Sequence, residues 1–309
     1  MAPLLRRTSL LLLLPLVASA LQAQTKNLAE RLGYPADAKL LILHADDLGA
    51  AHSIDAASFD ALEKGAISSA SIMMPTPWVT EVAAWAKAHP DADLGLHLTL
   101  TAEWDTYRWG SVASAGTVRS LLDSTGTFPN DVGPVATGAR LVEVERELRA
   151  QVERARALGI RPTHLDSHML ALFTTPALMA VYIRVARSYG LPFLALRGDP
   201  KKPPHASLRA NEVALDDVII AGPEIPVDQW KKFYVDAIAN LKPGLTELIV
   251  HLGHDDAELQ AVMVNHPDYG SAWRQRDYDV VTSAEFKKAL TDNGVIVVSW
   301  RQVYKALQP

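Results

Sequence analysis

From Lys39 onward the chain alternates between short apolar runs and stretches with helical periodicity. The runs are Leu40–Leu43, Ser69–Met73, Leu94–Leu100, Thr163–Leu165, Phe193–Leu196, Leu245–Val250 and Val295–Val298. Continuous apolar runs of this length suit strands buried on both faces. Between them, Leu141, Val144, Leu148, Val152, Ala155 and Leu158 share one helical face, and Gly159 with Pro162 ends that helix. Ile54, Ala57, Ala61 and Leu62 form a second such stripe, stopped by Gly65. Thr282 and Glu285 have the spacing of a capping box ahead of a helix near Phe286 to Leu290. Strand–helix alternation predicts an α/β fold with a parallel sheet and helices outside. The strand count favours a seven-stranded (β/α) barrel of the TIM-like kind, with an open doubly wound sheet as the alternative. Two connections are long. Residues Thr101 to Gly138 carry Trp104, Tyr107, Trp109 and Phe128, and Gly198 to Asn211 is rich in Pro and Lys. Both leave predicted strand ends, so both are expected on the C-terminal face of the sheet, where long loops serve as lids or binding loops.

The first 23 residues read differently. Arg6 and Arg7 precede an apolar core from Leu10 to Val17 and an Ala18-Ser19-Ala20 small-x-small site. This is the pattern of a secretory signal peptide cut after Ala20 or Ala23, too short to span a bilayer. The expectation is an exported protein, periplasmic or secreted, with one domain over residues 24–309 and no membrane attachment after cleavage. The 309 residues carry 30 Lys and Arg against 35 Asp and Glu, with no basic stripe, so nucleic acid is not an expected partner. Cysteine is absent, which leaves His, Asp, Glu and backbone oxygen as the only metal donors. Oligomeric state is not readable, and a homodimer is compatible with the sequence.

Polar residues that end or interrupt the runs are the chemical candidates. Asp46 and Asp47 close the first run, and His97 lies in the third. His164, Asp166 and His168 follow the fourth, Arg197 the fifth, and His251 the sixth. In a parallel barrel these strand ends meet at one rim, where such folds carry chemistry. Two adjacent carboxylates repel, and a solvated turn, the N-terminus of the helix that begins shortly after, or a cation held by a mixed His and carboxylate set would relieve that. His44 and His52 beside the pair, and His164, read as structural.

The stretches "HADDLGAAHSIDAASFDALEKGAISSASIMMP", "DLGLHLTL", "RPTHLDSHM" and "TELIVHLG", in this order, resemble the YdjC/ChbG-type carbohydrate deacetylases, relatives of the NodB-like polysaccharide deacetylases. The closing "DYDVVTSAEFKKALTDNGVIVVSWRQV" resembles them too, so the likeness covers most of the mature chain. It implies a barrel-like fold and removal of the N-acetyl group from an amino sugar with a divalent metal. By the resemblance Asp46 is the general base, Asp47, His97 and His168 hold the metal, and His251 is the acid for the departing amine. Magnesium is the metal implied by the resemblance, whereas a His-His-Asp donor set also suits zinc. Asp166 is expected behind a histidine ligand. Arg197 is expected beside Asp46 or the substrate, and Trp104, Tyr107 or Trp109 on the apolar face of a sugar. Leu252 stands where many relatives have proline, a departure that bears on the acid assignment of His251, and "SHMLALF" stands where many have further histidines, which points to a substrate or subfamily other than that of the chitobiose enzymes. A glycoside hydrolase with two carboxylates, or a silent sugar-binding protein, are the competing readings. The particular sugar is not encoded legibly.

Overall fold

The computed structural model describes residues 26–197, 208–209 and 211–308. The predicted signal peptide and most of the Gly198–Asn211 connection lie outside these residues. Seven strands form one parallel sheet: β1 (Lys39–Leu48), β2 (Ser69–Ile72), β3 (Leu94–Leu98), β4 (Leu165–Ser167), β5 (Asp217–Ile220), β6 (Gly244–Val250) and β7 (Val295–Val297). The order is β4-β3-β2-β1-β6-β5, with β7 paired to the N-terminal part of β1.

The sheet is an open, partial barrel rather than the closed seven-stranded barrel expected. Between β4 and β5 the described residues offer only isolated bridges, Leu165 with Phe193 and Leu196 with Leu215. The run Phe193–Leu196 therefore forms no ladder of its own. Pro192, which carries no N–H, immediately precedes it. β5 was not predicted because Asp217–Ile220 is half-exposed and begins with a charge, so its apolar run is only three residues long.

Alternation along the strands divides the residues between two faces. Leu41, Leu43, Ala45, Ala70, Ile72, Leu94, Leu96, Leu98, Leu165, Leu248 and Val250 join the large core beneath the helices. On the other face Leu40, Ile42, Leu245 and Ile249 pack with Val298, Trp300 and Val303 in a smaller inner core. Above that floor the inner positions turn polar: His44 and Asp46, Ser69 and Ser71, His97, Asp166 and Glu247, all buried.

The helices hold this sheet as the periodicity predicts. The helix Leu141–Ala157 buries Val144, Leu148, Val152 and Ala155, and Gly159 follows its end at φ 83°, a conformation glycine adopts without cost. On the same stripe Glu147 accepts the N–H groups of Val112 and Ala113, and Gln151 pairs with the Thr99 backbone. The long Thr101–Gly138 connection is thereby fastened to the sheet. One cap differs from expectation. Ser283, not Thr282, caps the helix Ala284–Asp292, because Thr282 spends its hydroxyl on the Tyr278 carbonyl at the end of the helix before.

Candidate metal and catalytic centre

The Asp46-Asp47 pair sits where β1 breaks its pleat. Ala45 pairs with Ala70 but Leu48 with Ile72, so β1 fits three steps against two, a bulge. Asp47 absorbs the extra residue at φ 73°, a left-handed conformation that aspartate tolerates better than most residues. Without the bulge, alternation would send the two carboxylates to opposite faces of the sheet. With it, both reach the same group of histidines. Asp47 Oδ1 lies 3.4 Å from His97 Nε2 and 3.3 Å from His168 Nδ1. Asp46 Oδ1 lies 3.1 Å from His44 Nε2, and its Oδ2 lies 3.9 Å from His251 Nε2.

Each of the two facing histidines has its other ring nitrogen tied down. His97 Nδ1 lies 2.7 Å from Asp166 Oδ1, and His168 Nε2 lies 2.9 Å from Glu103 Oε2. Carboxylates accept from those N–H groups, which turns the lone pairs of His97 Nε2 and His168 Nδ1 toward Asp47. Asp47 Oδ1 is buried and has no hydrogen-bond donor, while Oδ2 accepts from Arg274 at 2.7 Å. An unsatisfied buried carboxylate oxygen is costly unless a cation completes it. Donors around a tetrahedral ion with bonds of about 2.1 Å stand roughly 3.4 Å apart, matching the spacing here. The residues therefore fit a divalent metal held by Asp47, His97 and His168.

The electrostatics agree with this division. Burial raises the Asp47 carboxyl, but Arg274 and then His168 hold it well below the usual carboxylate range. Burial lowers His168, yet Glu103 and Asp47 outweigh it and lift the ring to about 10, the mark of a strongly electron-donating imidazole between two carboxylates. Burial pushes His251 down to about 4, leaving it neutral at pH 7. Its backbone N–H is anchored 3.0 Å from Asp277, which also accepts from Trp230 and Tyr234.

Not every expected residue reaches the centre in its expected role. Arg197 is exposed and pairs with Asp216 at 2.8 Å, because that carboxylate just before β5 is its near neighbour. Trp104 and Trp109 are 2% and 4% exposed, so neither can offer a face to a sugar. They pack edge to face at 5.3 Å, Trp109 donates to the Thr101 carbonyl, and Arg274 lies over Trp104. Their place is behind the centre, holding Arg274 and the loop that carries Glu103. Tyr107 is half-buried and donates to the Ala50 carbonyl at 2.8 Å. Asp166 stands behind His97, in the expected relation. Sequence reasoning missed Glu103 and Arg274, and it set His44 aside although His44 lies at the middle of the buried polar face. A carboxylate three residues into the loop after Leu100 was a usable signal for Glu103; Arg274, in the helix Ser271–Val281, had none.

The comparisons with known proteins follow the same line. The profile of the YdjC-like protein family matches residues 40–292. A Thermus thermophilus protein named carbohydrate deacetylase is 34% identical over 288 residues, covering 91% of this chain and 99% of the relative. A Geobacillus stearothermophilus protein of the same name is 28% identical, covering 85% and 98%. A solved structure from Enterococcus faecalis, provisionally named a cellobiose-phosphate cleavage protein, has a TM-score of 0.72 at 23% identity, covering 85% of this chain and 98% of that one, a likeness of fold. With the profile spanning most of the sheet and its helices, and relatives aligned over nearly their whole length, this chain belongs to the YdjC-like family of enzymes.

Proposed function

We propose that this protein is an exported, metal-dependent carbohydrate deacetylase that hydrolyses the acetamide of an N-acetylated amino sugar. The names of its relatives support the reaction class. The observation that carries the metal is the donorless Asp47 Oδ1 between two histidine nitrogens whose opposite sides are fixed by carboxylates. A divalent ion bound there supplies a Lewis acid for the acetamide carbonyl and makes water a usable nucleophile near neutral pH.

The chain's own residues then move the protons. Asp46 has Oδ1 engaged by Ser71 and His44, which leaves Oδ2 as the oxygen free to accept the proton of the attacking water. The new C–O bond forms first, and the amide C–N bond breaks in a second step, in which the departing nitrogen needs one proton. His251 starts neutral, receives that proton from Asp46 across the 3.9 Å gap, and delivers it to the amine. The products are acetate and the free amino sugar.

The test is acetate release from a panel of N-acetylated amino sugars before and after metal stripping, with metal content measured on the same samples. Release that vanishes on stripping and returns with zinc or magnesium is expected. No release from any sugar by protein that binds neither ion would refute the reading.

A further inference from the structure

His44 lies on β1, fully buried, two residues before Asp46. Its Nδ1 is 3.0 Å from Ser69 Oγ and its Nε2 is 3.0 Å from Ser71 Oγ. A serine hydroxyl has one hydrogen to give. Ser69 gives its hydrogen to Asp93 Oδ1 at 2.9 Å, and Ser71 to Asp46 Oδ1 at 3.3 Å. Each serine therefore presents only lone pairs to the ring. The remaining polar neighbours are carboxyl oxygens: Glu247 Oε1 at 3.5 Å from Nδ1, whose carboxyl burial raises to about 7, and the ionised Asp46 Oδ1 and Asp166 Oδ2, each at 3.1 Å from Nε2. A bare nitrogen lone pair facing those oxygens would be repelled. Both ring nitrogens must carry hydrogen, and only the imidazolium does so.

The charge balance agrees. Among the described residues no Lys or Arg pairs with Asp46, Asp166 or Glu247. Asp166 Oδ2 is buried without an aligned hydrogen bond of its own, so the nearby ring supplies its compensating charge. Burial opposes a charge on His44, but the contacts with Asp166 and Asp46 outweigh it and raise the ring well above the usual histidine range. The ring is braced edge-on against His164 at 5.1 Å, and His164 stacks on Trp300 at 4.9 Å.

We propose that His44 is a positioning residue, a buried imidazolium that holds the Asp46 and Asp166 carboxylates from below and so aims both into the centre. It occupies Oδ1 of Asp46, which leaves Oδ2 toward His251. Its charge lies 3.1 Å from Oδ2 of Asp166, the oxygen opposite the one that holds His97 Nδ1. One ring thus sets the orientation of the proposed base and of the group behind a proposed metal ligand. This role rests on the deacetylase reading; the charge state of the ring does not.

Two measurements decide it. In nitrogen-15 histidine spectra of the wild-type protein at pH 8, with His44 assigned through contacts to Ser69 and Ser71, both ring nitrogens are expected to carry hydrogen. A singly protonated ring there overturns the proposal, even if no variant folds. His44→Gln keeps a donor but removes the charge. Folded H44Q is expected to retain its metal, hold KM within about twofold and lose kcat by about 10- to 100-fold, the scale of a misaligned reacting group. Unchanged kcat in folded H44Q overturns the positioning role. Wild-type protein that releases no acetate would sink the functional reading while leaving the spectra to decide the imidazolium.

Discussion

Glu103 offers the sharpest test of how the centre is held. Its Oε2 is 2.9 Å from His168 Nε2, and the carboxylate is only 11% exposed. It fixes the ring orientation that points Nδ1 at Asp47, and it makes the imidazole a stronger donor. Replacing it with Ala leaves His168 free to rotate and to exchange tautomers. A hydrogen bond to a charged group is worth about 1.5–3 kcal/mol, and loss of such an outer carboxylate lowers metal affinity by about 10- to 100-fold. Each tenfold is about 1.4 kcal/mol, so the two figures agree. The assay is calorimetric titration of the stripped protein with zinc in the presence of a competing chelator, wild type against Glu103→Ala. Glu103→Gln keeps an acceptor oxygen and should fall between them. Affinity in Glu103→Ala within twofold of wild type would refute the claim that this carboxylate organises His168 for a metal.

The other outcomes can be stated briefly. Asp46→Asn should keep the metal yet lose about 10²- to 10⁴-fold in kcat, the usual worth of a general base. His97→Ala and His168→Ala should instead lose the metal itself; retention in either, measured by elemental analysis, overturns the ligand assignment. Asp93 is 5% exposed and its carboxyl sits at about 2 against an ordinary 3.8, because the bonds with His164, Arg301 and Thr163 outweigh burial. A depressed carboxylate stabilises the fold above its unfolded value and loses that effect as pH falls through the folded one. About 2 kcal/mol should therefore be present above pH ~4 and disappear toward pH ~2. Asp93→Asn should flatten that part of a denaturant-midpoint profile, and an unaltered profile would count against it. Gly95→Ala would place a Cβ 2.4 Å from the His164 ring, so a destabilisation of about 1–3 kcal/mol is expected in thermal unfolding. An unshifted melting temperature would show that His164 can move aside.

Much of this protein was legible because hydrophobic periodicity reports burial directly. The strands Lys39–Leu48, Ser69–Ile72, Leu94–Leu98, Gly244–Val250 and Val295–Val297 lie under apolar runs that anyone could mark, and the helix Leu141–Ala157 under its stripe. Strand ends of a parallel sheet share one rim, so Asp46, Asp47, His97, His168 and His251 could be expected together before any coordinate was known. Three things were decided only by the tertiary structure. Sheet closure depends on pairing between distant segments, and the Phe193–Leu196 run makes isolated bridges where a ladder was expected. The outward or inward placement of aromatic residues in the Thr101–Gly138 connection depends on how that loop folds back, and it buries Trp104 and Trp109 behind Arg274. Last, the charge of His44 depends on which serine hydrogens are already spent on Asp93 and Asp46, one just before β3 and the other in the bulge of β1. Local sequence encodes which residues want to be buried. It does not encode which buried donor meets which acceptor, because that is settled by atoms brought together across the sheet.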